Sequence, residues 1–156
     1  MESKKLEVRI KRIDKGLPLP RYAHTGDAGC DLYSREEVII SPGERALIGT
    51  GIAISLPQGN AAFIQPRSGL AAKHGVTIVN TPGLIDCQYR GEIKIILLNT
   101  DPRETFKVKK GDKIAQMVIQ KVEEADFVEV EDLDETERGA GGFGSTGVQI
   151  ETSVKN

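Results

Sequence analysis

The stretch Val38-Ile39-Ile40-Ser41-Pro42-Gly43-Glu44-Arg45-Ala46-Leu47-Ile48 decides the fold. Two short apolar runs, rich in β-branched side chains, flank a separator in which Pro42 sets φ and Gly43 permits a positive one. The same alternation continues outward on both sides. Downstream come Ile52-Ala53-Ile54, Ala61-Ala62-Phe63-Ile64, Val76-Thr77-Ile78-Val79, Ile93 to Leu98, Phe106-Lys107-Val108, Ile114 to Ile119 and Phe127-Val128-Glu129-Val130. Their separators, Pro57-Gln58-Gly59-Asn60, Asp101-Pro102-Arg103-Glu104 and Lys110-Gly111-Asp112, are turn chemistry. Upstream, Leu6, Val8 and Ile10 alternate with Glu7, Arg9 and Lys11, as a half-buried strand requires. Many short strands at close spacing indicate an all-β sandwich, barrel or jelly roll. One short helix is expected around Leu70-Ala71-Ala72-Lys73-His74, closed by Gly75.

The chain has 156 residues, the size of one domain or of one domain with a tail. Its 21 Lys+Arg against 23 Asp+Glu give a net charge of -2, which provides no general attraction to nucleic acid or to an anionic membrane. Neither is expected as a partner. From Val122 to Glu137 there is no Lys or Arg among many carboxylates, the pattern of a solvated edge and linker. Cys30 and Cys87 lie far apart with no Cys or His at ligand spacing, so neither a disulfide framework nor a zinc site is expected. The N-terminus lacks the apolar core of a signal peptide and no apolar run is long enough to span a bilayer, so the expectation is a soluble cytoplasmic protein.

Five segments stand out from a plain β-domain. Asp27-Ala28-Gly29-Cys30-Asp31-Leu32 has small residues around a carboxylate able to hold magnesium or its water shell, though taken alone it reads first as a polar turn between strands. Pro66-Arg67-Ser68-Gly69-Leu70 offers a forked cation and a hydroxyl to phosphate oxygens; the plainer account makes Ser68 a helix cap. Asn80 through Glu92 reads as a hairpin between the Val76–Val79 and Ile93–Leu98 strands. In it Asn80 suits the edge of a base, Asp86 could deprotonate a water, and Tyr89 presents a flat face to a sugar. The alternative is a β-turn with a buried tyrosine and a surface Arg90–Glu92 pair. In Gly111-Asp112-Lys113-Ile114-Ala115-Gln116-Met117, Gln116 is the odd residue of an apolar run and needs a partner if buried. Finally, the glycine-rich stretch from Arg138 to Gly147 can wrap backbone N–H groups around an anion, with Ser145 and Thr146 adding hydroxyls and Phe143 able to stack on a base. It is not a Walker A loop, since no Lys precedes the Ser-Thr pair.

Taken together and in this order, the five segments resemble the five motifs of the trimeric dUTPase family, over nearly the whole chain. The resemblance implies an all-β, jelly-roll (β-clip-like) subunit with one short helix and a glycine-rich C-terminal arm. It implies a homotrimer whose active sites are shared between chains, with dUTP as substrate and Mg2+ as cofactor. The expected organisation is a jelly-roll domain over 1–137, a nucleotide-closing arm over 138–147, and a tail of no assigned role over 148–156.

By the same resemblance, Asp86 is the base for the water that attacks the α-phosphorus, and Asp31 holds the magnesium through water. Arg67, Ser68, Gly69 and Gln116 meet the phosphates, Asn80 reads uracil, and Tyr89 packs against the deoxyribose. Arg138 meets the terminal phosphate, Phe143 covers the base, and Gly144, Ser145 and Thr146 close on the phosphates. One departure is Gln88, where many members carry a second aspartate. The rival readings are a dCTP deaminase-like enzyme and a non-catalytic nucleotide-sensing module of the same fold. Retention of both Asp86 and the arm favours hydrolysis.

Overall fold

The computed structural model describes residues 5–148; the tail set apart at 148–156 therefore lies, but for Val148, outside the described residues. The chain divides after Glu124 into two units. The first contains β1 (Arg9–Arg12), β2 (Cys30–Tyr33), β3 (Val38–Ile40), β4 (Arg45–Gly49), β5 (Ile52–Ser55), β6 (Asn60–Gln65), α1 (Ser68–His74), β7 (Val76–Ile78), β8 (Gly83–Ile85), β9 (Lys94–Asn99), β10 (Phe106–Val108) and β11 (Lys113–Lys121). Every pairing is antiparallel. A four-stranded sheet in the order β2-β11-β6-β8 accompanies a three-stranded sheet β4-β9-β7, and two ribbons, β1-β5 and β10-β3, complete an all-β jelly roll.

Alternation builds the core. In β9, Ile95, Leu97 and Asn99 are buried while Lys94 is exposed. Leu32, Ile64 and Met117 from the larger sheet join Ile48, Val76, Ile95 and Leu97 from the smaller one in a single buried cluster. Each such side chain contributes about 1.5–3 kcal/mol when fully buried. Asn99 is the polar member, and its amide donates to the carbonyls of Ile40 (3.0 Å) and Glu104 (2.8 Å). The expected turns form as well: Glu44 N–H donates to Ser41 O at 3.0 Å with Gly43 at φ 77, and Asp101 Oδ1 accepts from both Arg103 N and Glu104 N. No helix among the described residues is long and apolar enough to cross a membrane.

Four expectations need correction. β2 and β8 lie in stretches read as a turn and as a hairpin loop. β1 begins at Arg9 and is exposed throughout, with Leu6 and Ile10 also exposed and only Val8 packed on the core, because this ribbon pairs with β5 alone. β7 and β9 do pair, Ile78 opposite Leu97, but the connection between them sends β8 into the other sheet against β6. Finally, Phe127–Val130 is not a strand: a strand needs a hydrogen-bonded neighbour, none pairs with it among the described residues, and Phe127 is 93% exposed.

Candidate active site

Strand register assembles the first cluster. Gln116 of β11 sits between Asp31 of β2 and Gln65 of β6. β6 ends at Gln65, Pro66 and Arg67 follow, and the helix opens at Ser68. Asp31 is held from two sides, by Arg67 Nε at 3.1 Å and by Lys113 Nζ at 3.1 Å. Arg67 Nη1 also donates to Lys113 O at 3.2 Å, and Gln116 Nε2 donates to Pro66 O at 2.8 Å. The odd glutamine thus has its internal partner, and it fastens the end of β6. Ser68 is not a helix cap: Arg67 occupies the capping position without a side-chain cap bond, so the hydroxyl begins the first turn. An open hollow of about 360 Å³, lined by Arg67, Leu70 and Lys113 among others, adjoins the cluster.

Lys113 has no role that the sequence alone assigns. The reason is a β-bulge: the pairing shifts between Lys113 and Ala115, which puts Lys113 opposite Tyr33. Tyr33 lies two residues beyond Asp31, hence on the same face, so the bulge brings the lysine round to the carboxylate. Regular alternation would have placed Ile114 there. No signal in the sequence marks such a shift.

The second cluster surrounds Asp86. Thr81–Pro82 is a cis peptide, β8 follows, and a turn closes with Tyr89 N–H donating to Asp86 O at 3.1 Å. Asp86 is exposed, and no salt bridge engages it among the described residues. It borders a shallow hollow of about 230 Å³ with Leu84, Ile85, Tyr89, Glu92 and Lys94. Tyr89 is 45% exposed, not buried, and its hydroxyl donates to Glu92 O at 2.9 Å. The Arg90–Glu92 surface pair does not form either. Arg90 donates to the carbonyls of Cys87 and Tyr89, while Glu92 pairs with Arg35 at 2.8 Å. Asn80 is exposed just before β8, its amide nitrogen 3.6 Å from where a Cβ on Gly83 would stand.

Within one chain these clusters do not meet. Gly83 lies opposite Ile64 and Ile85 opposite Ala62, so β8 runs away from the Gln65 end of β6 and Asp86 comes level with Ala61. Four residues of strand span about 13 Å, and the three strand spacings from β8 to β2 add roughly 14 Å across the sheet. Asp86 and Asp31 are therefore about 19 Å apart on a flat sheet, a separation that strand twist alters only modestly.

The second unit carries the remaining expected residues in a run of tight turns. Gly141 N–H donates to Arg138 O, Ser145 N–H to Gly142 O and Gly147 N–H to Gly144 O, while Arg138 Nε donates to Gly141 O at 2.9 Å. Phe143 is fully exposed and takes φ 49, a left-handed conformation uncommon for a residue other than glycine. Thr146, exposed like its neighbours, lies in the last of these turns.

A jelly roll with two cations on a carboxylate at one sheet end and, at the other, an aspartate in no salt bridge among the described residues beside a tyrosine is an enzyme scaffold suited to a polyanion. The dUTPase family model matches residues 15–147. Over 142 residues the chain is 64% identical to the deoxyuridine 5'-triphosphate nucleotidohydrolase of Thermobifida fusca, covering 91% of this chain and 79% of that one. It is 58% identical over 140 residues to the enzyme of the same name from Nocardia farcinica, covering 90% and 85%. The fold is similar to that of a mutant Staphylococcus bacteriophage 80alpha dUTPase with dUpNHpp, at TM-score 0.84 and 30% identity, covering 91% of this chain and 99% of that one. It is also similar to a mutant dUTPase of phage phi11 of S. aureus, whose structure describes a coordinated structural Mg(II) ion, at TM-score 0.76 and 27% identity, covering 83% and 99%. The chain belongs to the dUTPase family.

Proposed function

We propose that this protein hydrolyses dUTP to dUMP and pyrophosphate, with Asp86 as the base. Family membership supports the reaction, and the observation that carries the residue assignment is an exposed aspartate beside Tyr89 that no salt bridge among the described residues engages. A water placed in line with the scissile bond attacks the α-phosphorus and gives its proton to an Asp86 oxygen. The new P–O bond belongs to dUMP, and the broken one leaves with pyrophosphate. Arg67, Ser68, Gly69 and Gln116 bind the phosphates, Asn80 reads the uracil edge, and Tyr89 packs against the deoxyribose. Arg138, Phe143, Gly144, Ser145 and Thr146 close over the nucleotide from the arm at 138–147. Neither the deaminase reading nor a silent sensing module is favoured by the family match.

Mg2+ fits what the chain offers. Magnesium keeps several waters and takes one or two carboxylates plus substrate phosphates, and among the described residues no group of three or more His, Cys, Asp or Glu forms a cage. Asp31 would hold it through water. When bound, the ion neutralises charge on the triphosphate. Arg67 and Lys113, each 3.1 Å from an Asp31 oxygen, keep that carboxylate in place for the task.

A homotrimer with shared sites follows from the same reading. A triphosphate is shorter than the roughly 19 Å of sheet between Asp31 and Asp86, which favours drawing Asp86 and the Arg67–Gln116 cluster of one site from different chains. Cytoplasmic residence suits a nucleotide substrate. Two experiments test the reading. Pyrophosphate release from dUTP, dCTP, dTTP and UTP with magnesium is expected to favour dUTP strongly, and equal rates with UTP would remove Tyr89 from sugar selection. In the second, Asp86→Asn chains are co-refolded with chains ending at Glu137. Each alone is almost inactive, but mixed trimers can combine a good Asp86 with a good arm. Verified subunit exchange with no recovered activity would overturn the shared site.

A further inference from the structure

We propose that Glu92 and Arg35 are positioning residues that clamp Tyr89, and through it the Asp86 turn; the inference rests on the reading of Tyr89 as the residue against the deoxyribose. The Glu92 side chain is only 14% exposed. One oxygen, Oε1, accepts from Arg35 Nη1 at 2.8 Å and from Gly51 N at 3.0 Å. The backbone carbonyl of the same residue accepts the Tyr89 hydroxyl at 2.9 Å, and Tyr89 N–H in turn donates to Asp86 O at 3.1 Å. A continuous path thus runs from Arg35 through Glu92 and Tyr89 to Asp86.

The path is braced at its Arg35 end. Arg35 N–H donates to Gly49 O at 2.9 Å, and its neighbour Ser34 exchanges backbone bonds with the Gly111–Asp112 turn at 2.7 and 2.8 Å. Arg35 stands four residues after Asp31, so the clamp ties the exposed turn to the strand that carries the metal-side carboxylate. A Cβ on Gly49 would lie 2.6 Å from Glu92 Oε1 and 3.1 Å from Arg35 Cδ. The pair is therefore seated directly on backbone, where no longer side chain fits. The Arg35 side of the pair is partly exposed, at 38%, which limits what the pair itself adds to stability. Its value lies in fixing an otherwise exposed tyrosine, since a bond held at both ends leaves the ring one rotamer in which to meet the sugar.

The test compares Glu92→Ala, Arg35→Ala and Glu92→Gln with the parent chain, using amide hydrogen exchange at Tyr89 and the ratio of kcat/KM for dUTP over UTP. The two alanine variants are expected to exchange faster at Tyr89 and to lose roughly fivefold to tenfold in the ratio, the range that one hydrogen bond controls. Glu92→Gln, whose amide oxygen still accepts both bonds, is expected to keep most of the selectivity, a rescue that a role in bulk stability would not single out. Arg35→Ala leaves Gly51 N–H its acceptor and carries the measurement if Glu92→Ala does not fold. Unchanged exchange at Tyr89 in a folded alanine variant overturns the clamp. Faster exchange with an unchanged ratio, in these variants and in Tyr89→Ala alike, upholds the clamp and removes Tyr89 from sugar selection.

Discussion

Replacing Gly91 with alanine adds one methyl group and should change substrate choice far more than stability. A Cβ at this position would lie 2.6 Å from Tyr89 Cζ and 3.0 Å from Cε2, closer still to the hydroxyl oxygen. Carbon atoms settle at about 3.5–4.0 Å, so the ring must retreat by roughly 1 Å. Gly91 does not have a positive φ, so alanine strains no backbone here and the effect is purely one of contact. Tyr89 is 45% exposed and can swing outward, giving up its 2.9 Å bond to Glu92 O. Loss of one exposed hydrogen bond costs about 0.5–1.5 kcal/mol, at the low end where water replaces it. Displacing a substrate-positioning group by 1 Å can cost ~10²-fold in rate. The expected outcome is a thermal midpoint within a few degrees of the parent, a fall in kcat/KM for dUTP between about tenfold and 10²-fold, and a smaller fall for UTP. Calorimetry and steady-state pyrophosphate release with both nucleotides measure this directly. Parental kcat/KM and an unchanged dUTP/UTP ratio would refute the placement of Tyr89 against the sugar.

Other perturbations separate the remaining roles. Asp86→Asn is expected to fold as the parent does, with Asp86 outside every ion pair of the described chain, and to lose ~10²–10⁴ in kcat with little change in nucleotide affinity; a near-parental rate would mean that another group takes the proton. Asp101 is expected to set part of the acid limb of stability. The backbone N–H of Glu104, then that of Arg103, hold its carboxyl below the usual range. A depressed value in the folded state gives stability that is present above the unfolded carboxylate range, near pH 4, and lost as pH falls through the folded value. Asp101→Asn should therefore flatten the stability profile below about pH 4, and denaturant titrations at several acid pH values that show the same slope for both chains would contradict this.

The fold was legible because its signals are local. Proline and glycine separators and β-branched runs mark eight strands close to where they occur, and Gly75 ends α1 at φ 62 as a C-terminal glycine should. Strands whose evidence is not local were missed. β2 carries Asp31 in its middle and owes its identity to β11 beside it; β8 is three residues long and exists because β6 offers an edge. Phe127–Val130 shows the opposite error, an alternating apolar pattern without a partner among the described residues. The site divides the same way. Asp31, Arg67 and Gln116 are recognisable as residue types and do come together, with Ser68 next to Arg67 in the chain, whereas Lys113 depends on a bulge that leaves no mark in the sequence.

Glycine shows why the supporting shell escaped notice. Gly43, Gly59 and Gly111 have positive φ and open space where a Cβ would go, which is the turn role that sequence assigns by default. Gly29, Gly49 and Gly91 have no positive φ, and a Cβ on each would stand within 3.0 Å of a side-chain atom: Gln116 Oε1, Glu92 Oε1 and the Tyr89 ring respectively. The letter is the same and the cause is opposite. The first group supplies conformations that other residues avoid; the second supplies volume, letting a side chain that holds the site lie against bare backbone. Two of the three volumes receive the parts of the Glu92–Tyr89 clamp, and the third receives the glutamine that fastens the end of β6. Substitution should therefore sort them. Alanine at Gly43, Gly59 or Gly111 strains the backbone and lowers stability with little effect on the nucleotide. Alanine at Gly29 or Gly91 moves a working side chain and alters the nucleotide's reception first. The difference arises from which atom stands where the methyl would go, and that atom comes from a strand or loop distant in sequence.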